Sequence, residues 1–220
     1  LAERAAAIIM TTTTTDHVKV FTGIYEGAVW GDNQQFEYRG SSGPGSDVRY
    51  NIGAYVPFLK AFIRDRGVRS VVDLGCGDFR CGKFVYEDLD DVTYTGYDAY
   101  AKVVEHNRRT HDPAKYTFHH LDFCNSKEAI QSADLCILKD VLQHWSTHEI
   151  YAMLDYLTTS GKFRYILICN CCDQRADDVD VPTGGWRPLS SVYLPLRRYG
   201  AQRLLAYGTK EVSCIEVVDG

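Results

Sequence analysis

From residue 67 onward, short β-branched runs alternate with longer segments of helical period. That alternation restricts the chain to a layered α/β fold on a largely parallel sheet. The pattern predicts strands over RSVVDL (69–74), VTYTGYD (92–98), YTFHHLD (116–122), DLCILKD (134–140) and RYILICN (164–170). Helices are predicted over 81–88, 100–110, a short stretch at 126–130, and 147–159, where Thr147 is the expected N-cap with His148 and Glu149 in the first turn. YVPFLKAFIRDRG (55–67) reads as a leading helix broken at Gly67. The tail, RLLAYG and KEVSCIEVV about Gly208 and Thr209, reads as a terminal hairpin. The count is seven strands, five parallel and then two. In such sheets ligands gather above the C-terminal ends of the strands.

Other features narrow the class. A chain of 220 residues suits one globular domain, here 17–220, with 17–67 as an N-terminal lid and leading helix and 68–220 as the core. LAERAAAIIMTTTTTD (1–16) is set apart as a linker, possible fusion to an upstream domain, or an added segment. A net charge of -5 argues against nucleic acid, which requires clustered Lys and Arg to release counterions. Arg197, Arg198 and Arg203 are too interrupted to make such a surface. The eight cysteines sit largely inside apolar runs, as free thiols do, which points to a reducing, cytoplasmic compartment. CNCC (169–172) lacks the second pair of a zinc knuckle. No apolar run approaches the roughly 18 residues of a membrane span, so no membrane partner is expected.

The chemistry gathers at strand ends. VVDLGCGDFR (71–80) is a strand running into a glycine-rich turn and then a helix, with Asp73, Gly75, Cys76 and Gly77 shaping a close approach to a ligand and backbone N–H groups expected to face it. Arg80 takes the place of the third glycine of a dinucleotide fingerprint, and Asp78 would repel phosphate, so the turn suits a positively charged ligand. Asp98 closes the second strand where a carboxylate can accept two ribose hydroxyls. Asp122 and Phe123 close the third, where an acid beside an aromatic ring suits adenine, although an aspartate there also serves as a plain turn residue.

In this order and spacing, DLGCGD, Asp98, LDF and KDVLQHW resemble the class I S-adenosylmethionine-dependent methyltransferases over roughly residues 50–220. The resemblance implies a Rossmann-like, seven-stranded, mostly parallel sheet with the last strand antiparallel and helices on both faces. It also implies S-adenosylmethionine as cofactor, with Asp73, Gly75 and Gly77 about its methionine part, Asp98 on the ribose, Asp122 and Phe123 on the adenine, and Cys76 and Lys139 among the cofactor-binding residues. Trp30 with SSGPGSD (41–47), GCGDF (75–79), KDVLQH (139–144) and GGWRPL (184–189) are similar to a narrower group of these enzymes, from which Lys139 departs where arginine is usual. In layout, though not in motif, the chain is also similar to the terminal methyltransferase domain of chlorella-virus glycosyltransferases.

Glycines flanking Pro44 make a rigid turn, and Ser42, Gly43 and Ser46 are assigned to the methionine carboxylate; the same turn would also serve as a plain surface loop. Trp30, Trp186 and Arg187 are assigned to the acceptor, read as a hydroxyl of a sugar or glycan, with lid packing the alternative for Trp186; the alternative functions are O- or N-methylation of another polar small molecule and a non-catalytic S-adenosylmethionine-binding module. Asp140, Asp173, Asp178 and Asp180 lack a diagnostic metal spacing, and no metal is expected. An alcohol acceptor benefits from a base, and the candidates are Asp140 and His144. His144 stands one residue away from the catalytic histidine of plant-type O-methyltransferases, where Gln143 falls instead, so base, ligand contact and packed structural residue all remain open for it.

Overall fold

The computed structural model describes residues 15–217; most of the segment set apart at 1–16 lies outside them. Strands β1 (Ser70–Leu74), β2 (Thr93–Asp98), β3 (Tyr116–His120), β4 (Leu135–Lys139), β5 (Tyr165–Cys171), β6 (Gln202–Tyr207) and β7 (Lys210–Glu216) form one sheet in the order β3-β2-β1-β4-β5-β7-β6. The first five run parallel, and β7 lies antiparallel to both β5 and β6. The expected terminal hairpin is therefore present, and the predicted strand ends differ by one or two residues, the usual uncertainty of element boundaries.

Helices α1 (His17–Glu26), α2 (Val48–Asn51), α3 (Tyr55–Asp65), α4 (Arg80–Tyr86), α5 (Ala101–Thr110) and α6 (Thr147–Thr159) accompany the sheet. Because successive strand residues point to opposite faces, β1 feeds two cores. Val71 joins Leu59, Ile63 and Val104 on one side, while Val72 and Leu74 join Ile150, Leu154 and Leu157 beneath α6 on the other. Burial on both faces explains why these strands read as continuous apolar runs.

One cap differs from expectation. Ser146, not Thr147, caps α6: its Oγ accepts the Glu149 N–H, and the Glu149 carboxylate accepts the Ser146 N–H at 2.9 Å, a reciprocal capping box. Thr147 is instead the first helical residue. All eight cysteines are free. Among the described residues no helix is long and apolar enough to cross a membrane.

The strand order reverses between β1 and β4, which flank each other while their following chains depart to opposite sides, leaving a crevice above their C-terminal ends. A cavity of about 130 Å³ opens there.

Candidate active site

The floor of the cavity is the turn after β1. Gly75 (φ 82°) and Gly77 (φ 54°) hold left-handed conformations that favour glycine, and a Cβ on Gly75 would lie 2.4 Å from Val141. The turn's N–H groups do not face a ligand, contrary to the sequence reading. Those of Gly75 and Cys76 donate to the Tyr97 carbonyl at 2.8 and 3.0 Å, that of Gly77 to Asp98 Oδ2 at 2.9 Å, and that of Asp78 to Ser42 Oγ at 2.9 Å. A phosphate cradle is thereby excluded, since its donors are already engaged. Asp98 Oδ1 accepts the Tyr100 N–H at 2.9 Å, so each carboxylate oxygen keeps lone pairs for a further partner. Burial raises Asp98 to about 6, and burial likewise raises Asp73 to about 6, against the Tyr94 hydroxyl that donates to it at 2.8 Å.

The roof comes from the N-terminal segment. His17, Phe21 and Tyr25 recur every four residues on α1, so one helical face lines the cavity, and Trp30 continues it. This stripe was legible as helical spacing in HVKVFTGIYE but was missed. The SGPGS turn closes against the floor: the Tyr25 hydroxyl and Ser42 Oγ are 2.8 Å apart, and Lys139 Nζ donates to the Gly45 carbonyl at 2.7 Å. A Cβ on Gly45 would stand 2.5 Å from Asp140 Oδ2, which explains glycine at that position. Ser46 lines the cavity, but its hydroxyl donates to the Gly43 carbonyl at 2.8 Å, and Gly43 lies behind Trp30, outside the lining.

The far wall follows β4. Asp140 is a non-glycine residue at φ 60°, an uncommon conformation of the kind found at functional sites. Its Oδ2 accepts from Lys139 at 2.8 Å, and its Oδ1 accepts from Lys210, a residue of β7 only 3% exposed. Burial alone would raise the Asp140 carboxyl, but the two ammonium groups outweigh it and hold the group below its ordinary range.

His144, 8% exposed, presses against Trp30 with ring centroids 4.7 Å apart. Its Nδ1 lies 2.7 Å from the Gly185 carbonyl, which can only accept, so Nδ1 carries the hydrogen and Nε2 keeps its lone pair. The Gln143 amide, whose oxygen accepts the Cys171 N–H at 3.0 Å, donates to that Nε2 at 3.3 Å, a long hydrogen bond that an incoming acceptor hydroxyl would replace. Burial lowers the His144 pKa and favours the neutral ring.

Asp122 and Phe123 line the end beneath the start of α1. Asp122 also fills the turn role: its carboxylate accepts the Asn125 N–H at 3.1 Å, the Asn125 amide at 2.7 Å and the His17 N–H at 3.2 Å.

Two assignments fall away from the cavity. Arg187 is 3% exposed, and its guanidinium donates to the Trp145 carbonyl at 2.9 Å, to Thr147 Oγ1 at 3.0 Å and to the Val179 carbonyl, tying the 173–189 loop to α6. It is an internal fastener rather than a substrate ligand. Trp186 is 57% exposed and also lies outside the lining, so the saccharide reading loses both residues that carried it. Asp140, Asp173, Asp178 and Asp180 do not converge on one point.

The lining carries five carboxylates (Asp73, Asp78, Asp98, Asp122, Asp140) against two fixed cations, Arg80 and Lys139. Such an imbalance around a partly apolar cavity favours a ligand bearing positive charge.

Residues 71–162 match the family described as "Methyltransferase domain". No curated protein matches the chain. Among solved structures, an O-methyltransferase family protein from Burkholderia thailandensis superposes with a TM-score of 0.60 at 16% identity, over 79% of this chain and 57% of that one. Human N-acetylserotonin methyltransferase, solved with SAM, gives 0.53 at 18% over 74% and 54%. The chain thus spans little more than half of either. Magnesium protoporphyrin IX methyltransferase from Synechocystis PCC 6803, solved with bound SAM, gives 0.58 at 16% over 93% and 98%. The sheet order, with its antiparallel last strand, is that of the Rossmann-like methyltransferase fold these structures share, and residues 71–162 within it match a methyltransferase domain.

Proposed function

We propose that this chain transfers a methyl group from S-adenosylmethionine to a hydroxyl of a polar small molecule, with His144 as the base. The observation that carries the choice of base is the Gly185 carbonyl 2.7 Å from His144 Nδ1. It fixes the tautomer that leaves Nε2 unprotonated at the cavity wall, and burial keeps the ring neutral near pH 7. Asp140 is the poorer base because both its oxygens already hold ammonium groups. Its part is to anchor Lys139 and Lys210 beside the reacting end.

The residues present fit the cofactor. The acid-rich lining suits a sulfonium, and the lone pairs left on Asp98 suit a pair of ribose hydroxyls. Phe123 and Asp122 offer an apolar face and an acceptor for adenine. Lys139, which uses two of its three N–H donors on Gly45 and Asp140, keeps one for the methionine carboxylate. Ser46 spends its hydroxyl hydrogen on the Gly43 carbonyl and supports the turn, whereas Ser42, which accepts from Asp78, can donate to the cofactor when the Tyr25 hydroxyl donates to it. When bound, S-adenosylmethionine supplies an electrophilic methyl; the protein aligns the acceptor, excludes water and receives its proton at His144 Nε2. Trp30, pressed on that ring, gives the acceptor an aromatic surface.

The test is calorimetric binding of S-adenosylmethionine, followed by transfer of an isotopically labelled methyl to a panel of phenols, sugars, amines and thiols. Binding with labelling of hydroxyl acceptors is expected. Failure to bind, or labelling of nitrogen or sulfur acceptors alone, overturns the reading.

A further inference from the structure

Beneath the N-terminus of α1, three residues from distant segments converge. His17 Nε2, a Cys124 sulfur and a Glu149 carboxylate oxygen all lie within 4.8 Å of one another. His17 is 3% and Cys124 7% exposed, and the Glu149 side chain is 12% exposed. A tetrahedral zinc site, with bonds near 2.0 Å to nitrogen and oxygen and 2.3 Å to sulfur, needs its ligand atoms about 3.3–3.6 Å apart. Movements of about an ångström would therefore bring three ligands into place, with a water taking the fourth position.

The surroundings aim these atoms. Glu149 Oε2 is held by the Ser146 N–H at 2.9 Å, the Ser146 hydroxyl at 2.8 Å and the Thr183 hydroxyl at 2.6 Å, which leaves Oε1 turned to His17 at 2.9 Å. Outer hydrogen bonds of this kind orient metal-binding carboxylates. The His17 ring packs edge-on against Trp145 at 5.1 Å, and its backbone N–H is fixed by Asp122 at 3.2 Å.

The structure assigns to His17, Cys124 and Glu149 a zinc-binding site that staples α1 to the end of β3 and the start of α6. Imidazole, thiolate and carboxylate together match zinc rather than magnesium or calcium, which take oxygen ligands. The charges balance: a thiolate and a carboxylate neutralise the divalent ion in a buried place. On binding, the Cys124 proton leaves to solvent and the His17 ring hydrogen moves to Nδ1, so uptake releases protons and strengthens with pH. The site closes the roof of the cavity at its adenine end but does not depend on the methyl-transfer reading.

The test strips the full chain of metal and titrates it with Zn²⁺ against a chromophoric chelator, then repeats the titration with Co²⁺. One equivalent is expected, with a thiolate-to-cobalt charge-transfer band and a higher Tm for the zinc-loaded chain. Cys124→Ser should abolish the band, and His17→Gln should weaken zinc at least tenfold, whereas Cys171→Ser, in the CNCC run at the end of β5, should change neither. The cobalt spectrum of the unaltered chain stands even if Cys124→Ser fails to fold. A folded chain that takes up no equivalent, a cobalt complex without the band, or loss of binding in Cys171→Ser overturns the assignment.

Discussion

A single carbonyl decides what His144 can do. Its neutral, Nδ1-protonated ring is held on Gly185 and against Trp30, so His144→Gln should lower kcat on the order of 10²–10⁴-fold while S-adenosylhomocysteine affinity stays within a fewfold. Because burial lowers its pKa, the rate should remain flat above neutral pH and fall only in the acid range, as the ring takes up a proton. A kcat profile shaped by a group titrating above pH 7 would contradict this.

Asp98 makes the opposite kind of prediction. Its folded pKa of about 6 lies above the ordinary 3.8, so its contribution to stability is fully present below about pH 4 and is lost as pH rises through 6. Two pH units correspond to roughly 2–3 kcal/mol. Asp98→Asn should therefore flatten the fall in Tm of the ligand-free protein between pH 4 and 7, and lower S-adenosylhomocysteine affinity at least tenfold. The ribose role of Asp98 was suspected without the structure, whereas its raised pKa follows from burial that only the fold shows. The position of a carboxylate at a strand end is a one-dimensional fact, whereas the lysine pair on Asp140 is not, because Lys210 arrives from β7, seventy residues away.

Among the elements, those set by local periodicity were legible in the sequence, and those set by tertiary contact were not. The bounds of α6 match the prediction, but its cap does not, since choosing Ser146 over Thr147 depends on which residue keeps extended backbone geometry, here ψ 154° at Ser146. Ser146→Ala should cost about 1–2 kcal/mol in a denaturant titration, and it also removes one holder of Glu149. Arg187 misled for a similar reason: GGWRPL says nothing of whether the guanidinium meets solvent or, as here, a carbonyl of the turn before α6. The α1 stripe was readable in principle. Ten residues with two of the three key side chains aromatic do carry the i, i+4, i+8 signal, but nothing local says that this face covers a cavity rather than a core.

At the scale of the whole molecule, the floor and the roof belong to parts of the chain that approach only through the sheet. The closure is tight where Gly45 lies on Asp140 and Ser42 lies on the turn after β1. A ligand exchanging past this turn would have to part the Lys139–Gly45 and Ser42–Asp78 hydrogen bonds. How long a ligand resides would then depend on the opening frequency of the SGPGS turn as well as on how strongly the crevice holds it. Loosening the turn would speed departure more than arrival, since the same Lys139 that holds Gly45 also faces the ligand.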